Sequence, residues 1–280
     1  MESVDALLPP DMAVKAEEVG VRKGTADAVS LFSLGLLAGA FIAVGALFSS
    51  IAVTDPTGQL PWGVGRVLGG LVFSTGLVAV VVGGAELFTG NTLLVMAWAS
   101  RRLTTAQVLR NWAIVYAGNA AGALGTALLV FVARTWDLGG GAVGRTMLDA
   151  ALAKAGLGPA QAVAAGVLAN ALVCLAVWLA FSARSTVDRV VAVILPVAAF
   201  VAAGFEHSIA NLYVIPMGML VKVGAPDAFW AHIGRSPSDY AALTPGAFLL
   251  GNLLPVTVGN LFGGSVLVGG VYWIVYLRRR

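Results

Sequence analysis

Two short polar segments lie inside otherwise apolar stretches of this chain. Gly84 to Asn91 reads GAELFTGN and Gly204 to Asn211 reads GFEHSIAN, so both fit G-x-E-x-x-x-x-N with their glutamates 120 residues apart. Irregular backbone is tolerated at membrane depth only where protein buries it or where it lines a watery cavity. Such breaks at corresponding places in two halves of a hydrophobic chain are typical of inverted-repeat transport proteins. The pair therefore predicts a transport pathway and marks its position.

The composition excludes an ordinary soluble domain. Hydrophobic residues make up 59% of the chain, charged residues 11%, and the mean hydropathy is +0.89, whereas about 25% charged is usual in soluble domains. The formal net charge of +3 is small and scattered, so no nucleic-acid partner is indicated. The single cysteine, Cys174, excludes an internal disulfide and is expected to pack in the core. No cofactor and no metal site are expected.

Six stretches are long and apolar enough to cross a bilayer, which takes about 20 residues. They cover residues 29–53, 63–98, 107–133, 159–182, 189–221 and 247–277. The second and fifth are too long for one crossing, and each contains one polar segment. We expect each of them to form two half-helices around an unwound turn. The sequence thus predicts an all-α integral membrane protein with six transmembrane helices, of which helices 2 and 5 are broken.

The two halves of the chain match beyond the polar segments. GLLAG at Gly35 resembles GVLAN at Gly166, and GNAAG at Gly118 resembles GNLFG at Gly259. Three crossings per half make the second half antiparallel to the first, which predicts an inverted 3+3 repeat. We therefore expect one transmembrane domain, 1–280, with a first repeat at 29–133, a periplasmic connection at 134–158 and a second repeat at 159–277.

Charge predicts the orientation. Six crossings put both termini on one side, and assigning them to the cytoplasm places 11 of the 17 basic residues there, as the positive-inside rule favours. We expect a multi-pass protein of the bacterial inner (cytoplasmic) membrane with a cytoplasmic tail at 278–280. In the N-terminal segment 1–28, Asp11 is suited to cap a short amphipathic helix that acts as a gate or anchor; a plain solvated lead-in is the alternative.

The polar segments also supply the central candidate residues. A broken helix directs free N–H groups and the positive end of a half-helix dipole toward the gap, which favours an anion or a weak acid. Thr89 adds a hydroxyl beside the first break, and His207, present in the second only, adds a ring that exchanges protons near neutral pH. An ionisable group at membrane depth is a functional candidate by default.

Other polar residues near the breaks have structural interpretations. Glu86 and Glu206 need partners in lipid, and we expect them mainly to accept hydrogen bonds from N–H groups freed by the breaks, with substrate or proton handling as the alternative. Asn170 and Asn260 are expected to cross-link helices, and Asn170 is also a candidate pore residue. The predicted structural residues at the breaks are Glu86, Asn91, Asn211 and Asn260.

Bulky apolar residues recur near the breaks. They are either simple core or dry rings above and below the polar centre, because hydrophobic constrictions control wetting and ion passage. The set consists of Phe73, Leu77, Leu87, Phe88, Val173 and Phe200.

Several motifs together resemble the formate/nitrite transporter family. They are the two polar segments, LVCLAVW at Leu172, NLLPVTVGN at Asn252 and the ending YWIVYLR. The likeness covers residues 9–278, and EHSIAN is its most specific element. IPMG at Ile215, with Phe229 and Trp230, is most similar to the formate channel branch. The residues after Thr89 depart from that branch, because Gly-Asn stands where formate channels have Ser-Thr.

The resemblance implies an aquaporin-like protomer in a lipid-embedded homopentamer, with one pore per protomer that passes formate or related small monovalent anions, and no enzyme activity. It implies that His207 is the central pore histidine beside Thr89, and that Lys154 and Asn170 draw and hold the anion beneath the outer vestibule. The matches to the constrictions are Leu77 and Phe200 on the outer side of the histidine, and Leu87 and Phe88 at the inner slit. Formate, nitrite, hydrosulfide, acetate and lactate are left unranked, as are a gated channel and a proton-coupled carrier.

Other functional classes fit poorly. An intramembrane hydrolase would pair His207 with Ser208 or Ser265, but adjacent helical residues point apart and Ser265 lacks a G-x-S-x-G nucleophile turn. A water or polyol channel is expected to carry paired Asn-Pro-Ala motifs at the breaks, and neither break has one. Ammonium transport is disfavoured because only one histidine lies at membrane depth.

Overall fold

The computed structural model describes residues 6–279, and all the regular secondary structure within them is helical. The helices are α1 (Pro9–Gly24), α2 (Ala28–Ala52), α3 (Trp62–Gly83), α4 (Phe88–Asn91), α5 (Val95–Ala99), α6 (Thr105–Val132), α7 (Ala142–Ala155), α8 (Pro159–Ser182), α9 (Thr186–Ala203), α10 (Ser208–Gly224), α11 (Asp227–Ile233) and α12 (Ala247–Tyr276). A short 3₁₀ turn, Thr92–Leu94, joins α4 to α5, and α12 contains π-helical stretches at Ala247–Leu253 and Gly263–Gly270.

Six helices in residues 6–279 are long and apolar enough to cross a membrane: α2, α3, α6, α8, α9 and α12. The bent pair α10 and α11, which meet at 112°, raises the number to seven if it is counted as a span. Many large apolar side chains on these helices are exposed, for example Leu129, Leu195 and Leu250, as expected of surfaces in contact with lipid. The predicted all-α membrane architecture is confirmed.

Two apolar stretches contain helix ends where the polar segments occur. Helix α3 ends at Gly83 and α4 begins at Phe88; α9 ends at Ala203 and α10 begins at Ser208. The residues that follow the first helix of each pair, Gly84 and Gly204, have φ angles of +76° and +78°, which only glycine adopts at low cost. The backbone therefore turns at the same point of the pattern in both segments.

Small residues let the long helices approach closely. An added Cβ at Gly39 of α2 would overlap the backbone of Asn119 in α6, and one at Gly263 of α12 would overlap the backbone of Val167 in α8. Such contacts are typical of membrane helices, which associate by close packing rather than by a hydrophobic effect. The glycine motifs of the sequence thus lie at helix crossings.

Residues 134–158, predicted as a connection, contain the helix α7. Its buried residues Val143, Met147, Leu148 and Ala151 are spaced as one helix face, and they pack toward α10. Lys154 lies in the last turn of α7. A lysine that the residue pattern alone would place in a loop is therefore held on a helix.

Candidate transport site

Thr89 and His207 meet at the centre of the fold. The Thr89 hydroxyl lies 2.8 Å from Nε2 of His207, and both side chains are buried. His207 is also the N-cap residue of α10, since its Nδ1 accepts a 3.1 Å hydrogen bond from the backbone N–H of Ala210. An Nδ1 that accepts leaves the proton of the neutral ring on Nε2, so Nε2–H donates to Thr89. Tertiary structure has joined one residue from each polar segment.

A buried polar cluster supports Thr89 from behind. The Thr92 hydroxyl donates to the carbonyl oxygen of Thr89 at 2.6 Å, and the Asn170 amide donates to the Thr92 hydroxyl at 3.1 Å and to the Asn260 carbonyl at 2.6 Å. Cys174 lies against the same atoms and is fully buried. Asn170 lines neither of the cavities described next, so its contacts are those of a residue that links helices.

Two cavities of about 490 Å³ each approach the central pair. The first, here called the α1 vestibule, is lined by α1 together with Leu77, Glu86, Leu87, Gly90 and Asn91. The second, the α7 vestibule, is lined by Lys154 of α7 together with Arg66, Phe73, Phe200, Glu206 and His207. Thr89 has no exposed surface; its chain neighbour Gly90 lines the first cavity and its bonded partner His207 lines the second, so the pair separates the two cavities.

Apolar side chains line the approaches to the pair. The rings of Phe73 and Phe200 meet edge to face with centroids 5.6 Å apart, and Phe200 stacks on His207 at 6.0 Å. Leu77 lines the α1 vestibule with Leu87, not the α7 vestibule with Phe200, unlike the pairing that the resemblance implied. The reason is that α3 extends toward the first break, which brings Leu77 to the same side as the residues of that break.

The other two predicted constriction residues are packed away from both cavities. Phe88 makes edge contacts with Tyr116 at 4.9 Å and Trp112 at 6.4 Å, and Val173 is buried. Neither belongs to a vestibule lining. In this conformation both are core residues that brace the central pair.

Glu86 is held by side chains, and Lys23 is its charged partner. The Lys23 ammonium lies 3.1 Å from the carboxylate and donates to the Asn91 side-chain oxygen at 2.9 Å. The Asn91 amide donates to the same carboxylate at 2.7 Å and to Asn111 at 3.0 Å, and the Asn111 amide donates back to the Lys23 carbonyl at 3.0 Å. The four side chains close a polar ring beside the α1 vestibule.

Glu206 is held in the same manner by Lys154. The Lys154 ammonium donates to the carboxylate at 2.8 Å, and the Asn211 amide donates to it at 2.6 Å. Asn211 also donates to Asn252 at 2.7 Å, and Asn252 donates to the Lys154 carbonyl at 2.9 Å. One difference is that the side-chain oxygen of Asn211 has no partner in residues 6–279, whereas that of Asn91 accepts from Lys23.

The expectation that the glutamate side chains accept the freed backbone N–H groups is wrong. Two asparagines do this instead: the side-chain oxygen of Asn119 accepts from the N–H of Phe88, and that of Asn260 accepts from the N–H of Ser208, both at 2.9 Å. Their amides donate to the carbonyls of Glu86 and Glu206, again at 2.9 Å. The carboxylates point to lysines because a hydrogen bond between two opposite charges is stronger than one that a carboxylate accepts from a neutral amide.

Sequence reasoning missed several residues of this site, among them Asn119, Lys23 and Arg66. Asn119 was detectable because the spacing between Gly118 and Gly259 also separates Asn119 from Asn260. Lys23 was detectable because it precedes Lys154 by 131 residues, the same spacing that separates Gly35 from Gly166. Arg66 had no such signal. From α3 it donates to the carbonyls of Ala202 at 2.9 Å and Val201 at 2.6 Å, the last turn of α9.

Known proteins share this chain's sequence and fold. The family model described as formate/nitrite transporter matches residues 10–274. The chain belongs to the formate/nitrite transporter family.

Individual members of the formate/nitrite transporter family match over nearly the whole chain. The formate channel FocA of Escherichia coli (strain K12) is 45% identical over 274 residues, 98% of this chain and 96% of that protein. FocA of Haemophilus influenzae is 38% identical over 94% and 93% of the two chains. A solved structure described as a pentameric formate channel with formate bound is 42% identical, with a TM-score of 0.85 over 90% of this chain and 98% of that one.

Proposed function

We propose that this protein is a membrane channel that passes formate through a pore in each protomer, with Thr89 and His207 at its centre. The observation that carries the proposal is the 2.8 Å contact of these side chains between two cavities, each of which has a lysine paired with a glutamate. The similarity to formate channels supplies the substrate. Apolar side chains line both cavities beside the pair, with Leu77 and Leu87 in one and Phe73 and Phe200 in the other, and such constrictions control the passage of hydrated ions.

The vestibule lysines are proposed to attract and stabilise the anion. Lys154 lies on the α7 vestibule with its ammonium bonded to Glu206, and Lys23 lies on the α1 vestibule with its ammonium bonded to Glu86. Each lysine retains donors beyond its bond to the carboxylate. A formate carboxylate at either ammonium would therefore gain a charge-assisted hydrogen bond before it meets the apolar residues.

His207 is proposed to transfer a proton to the formate anion. The protonated ring gives its Nε2 proton to a formate oxygen, which leaves neutral formic acid and a neutral ring. The acid releases that proton on the other side of the membrane, and the ring takes up a new proton from the side at which formate entered. A protonated ring cannot accept from Ala210, and the loss of that bond costs about 1 kcal/mol. Taking a bare anion into an apolar ring costs several kcal/mol or more. Proton transfer therefore lets the cargo pass Phe73 and Phe200 as a neutral molecule.

The competing mechanism keeps formate charged and uses His207 only as a hydrogen-bond donor. Formate uptake into proteoliposomes with simultaneous recording of internal pH separates the two. We expect one proton to move with each formate, and flux without proton movement would exclude the protonation mechanism. His207→Asn keeps a hydrogen-bonding side chain but has no group that exchanges protons near neutral pH. We therefore expect this variant to lose the electroneutral flux. His232→Asn, a change in the only other histidine, is the matched control and should keep it.

Nitrite, hydrosulfide, acetate and lactate are the alternative cargoes. The departure from the formate channel pattern at Gly90-Asn91 does not favour any of them, because Asn91 bonds to Glu86 and Asn111 in the polar ring. Competition of these anions against labelled formate in one proteoliposome assay ranks them. Formate is expected to be the preferred anion.

We further propose that transmembrane helices 2 and 5 are broken helices in an inverted 3+3 repeat, 29–133 and 159–277, joined by 134–158 within one domain. Support comes from matched hydrogen bonds. The N–H of Glu86 donates to Leu34 and that of Glu206 to Ala165, both at 3.2 Å. The asparagine and lysine contacts around the two glutamates match in the same way. Coincidental likeness of glycine-rich helices would not reproduce these contacts.

The assembly and orientation are proposed from the family and from charge. Similarity to a pentameric formate channel supports a homopentamer. Basic residues near α1 and after α12 support cytoplasmic termini in the inner membrane. Native mass spectrometry of the detergent-solubilised protein should give five subunits, and single cysteines at exposed α11 positions should be labelled only from the periplasm.

A further inference from the structure

The two vestibules differ in charge. The α7 vestibule lining has two cationic and two anionic side chains: Arg66, Lys154, Asp55 and Glu206. The α1 vestibule lining has four cationic side chains and one carboxylate: Lys15, Arg22, Lys23, Arg189 and Glu86. Among the described residues, one vestibule is therefore balanced and the other has three positive charges in excess. A monovalent anion at Lys23 would offset only one of them.

Three of the α1-vestibule cations have no carboxylate partner in residues 6–279. Glu86 is taken by Lys23. Lys15 donates to the carbonyl of Phe181 at 3.0 Å, a neutral acceptor at the end of α8. Arg22 and Arg189 form no ion pair with a described carboxylate. The acidic neighbour of Arg189, Asp188, instead accepts from the backbone N–H groups of Arg184 and Ser185.

Positive charges on a neighbouring helix act on the Lys15 ammonium. The pKa of Lys15 is lowered from its usual value first by burial of the ammonium and then by the positive charges of Arg189 and Arg184. Arg189 belongs to α9 and Lys15 to α1, so their charges converge on the cavity from different helices. Like charges around one cavity are stabilised by an anion that bonds to several of them at once.

We propose that the α1 vestibule binds a soluble multivalent oxyanion of the phosphate class, which competes with the transported monovalent anion. Guanidinium groups match phosphate oxygens with two parallel hydrogen bonds, and the vestibule supplies two arginines and a lysine that have no carboxylate partner among the described residues. The cavity of about 490 Å³ accommodates a diphosphate. The occupied site blocks the route between α1 and Leu87. The blocking effect rests on the proposed transport function, whereas binding of the oxyanion does not.

The test uses inorganic pyrophosphate, without divalent cations, on the full-length protein. Calorimetry on the detergent-solubilised protein should show one pyrophosphate per protomer. Proteoliposomes of phosphatidylcholine, with pyrophosphate on both faces, should lose formate flux over the same concentration range. Sodium chloride at equal ionic strength controls for screening. If pyrophosphate binds but formate flux is absent, the transport proposal fails and the oxyanion site stands. If formate flux is present but pyrophosphate neither binds to the protein nor inhibits the flux, the proposed oxyanion site is wrong.

The double variant Arg22→Gln/Arg189→Gln should weaken pyrophosphate binding by more than about tenfold, as loss of charge-assisted bonds predicts. For this variant, the formate flux in the presence of pyrophosphate is compared with the flux of the same variant without pyrophosphate. The matched control is Arg101→Gln/Arg279→Gln, which removes the same charge from exposed residues outside the lining and should bind normally. Equal weakening in both pairs would show a general charge effect and overturn the proposal. Binding that disappears when the vesicles contain phosphatidylglycerol assigns the site to lipid headgroups and also overturns it.

Discussion

At the residue scale, the site is defined by which atom of a side chain already has a partner. His207 uses Nδ1 to cap α10 and presents Nε2 to Thr89. The ring therefore has a fixed orientation, and Nε2 is the ring nitrogen left for chemistry. Ser208, its neighbour, leaves its hydroxyl without a partner in the described chain, and lies too close along the backbone to serve His207. A single hydrogen bond to Ala210 thus decides which nitrogen meets the pathway.

A buried hydroxyl allows a test at the same scale. Tyr213 is 1% exposed, and its hydroxyl has no partner within residues 6–279. An unsatisfied buried hydroxyl costs about 1–3 kcal/mol, so Tyr213→Phe should leave the melting temperature in detergent unchanged or raise it.

Tyr116→Phe is the control for this test, because the Tyr116 hydroxyl is bonded to Thr257 at 3.1 Å. That change should lower stability by about 1 kcal/mol. If Tyr213→Phe destabilises the protein as much as Tyr116→Phe does, the Tyr213 hydroxyl has a partner and the interpretation is wrong.

At the element scale, helix ends make the site. The last turn of a helix leaves carbonyl groups without partners in the helix, and α9 ends four residues before α10 begins. From the neighbouring helix α3, Arg66 donates to the carbonyl of Ala202 and to that of Val201, which also accepts from the backbone N–H of Gly204 at 3.0 Å. The corresponding end of α3 has no such side-chain donor among the described residues. The second break, which carries His207, therefore has side-chain bonds to its preceding helix end that the first break lacks in the described chain.

We expect Arg66 to position the second break. Arg66→Gln removes charge and both bonds and should lower the maximal formate flux and raise the half-saturating concentration. Arg66→Lys keeps the charge but not the two-pronged contact, so it should lower the maximal flux with little change in half-saturation. Proteoliposome flux over a range of formate concentrations measures both quantities. Arg235→Gln, at an exposed residue, is the control; a purely structural Arg66 would lower protein yield and leave both flux parameters of the folded fraction unchanged.

At the scale of the whole molecule, two similar halves build one unequal centre. Asn119 and Asn260 hold the two polar segments through equivalent bonds, including donation to the carbonyls of Gly35 and Gly166, both at 2.8 Å. The halves then differ in His207, in the partner of the Asn211 oxygen and in the charge of the vestibules. Symmetry supplies the scaffold, and the departures from it supply the chemistry.

The shared scaffold predicts matched losses of stability. Asn119→Ala and Asn260→Ala each remove three buried hydrogen bonds and leave their partners unsatisfied, at about 1–3 kcal/mol for each group. Thermal melts in detergent should show similar large destabilisation for the two variants. A large loss for one and none for the other would contradict the equivalence of the halves. Asn91→Leu is a useful comparison, because it breaks a polar ring without freeing a backbone N–H.

Much of this arrangement was predictable from local pattern. Apolar runs predict membrane helices because hydropathy is a property of the segment itself. Gly84 and Gly204 mark the turns because no other residue adopts a positive φ at low cost. The twin motif also marked Thr89 and His207. The 131-residue spacing that pairs Gly35 with Gly166 pairs Lys23 with Lys154 as well.

The rest depended on partners distant in the sequence. Arg66 and Val201 are 135 residues apart, and no local pattern links them. The glutamates were expected to bond backbone N–H groups, yet Lys23 and Lys154 offered stronger partners that only the folded chain brings near.

The sequence by itself determined that this chain is a helical membrane protein with two polar segments, the second of which contains a histidine, because hydropathy, glycine conformation and spacing are local properties. Only the tertiary structure decided that Thr89 and His207 face each other, that asparagines rather than glutamates hold the turns, and that, among residues 6–279, positive charge is in excess in one vestibule. Hydrogen bonds and charge pairs depend on distances between helices, and those distances follow from packing.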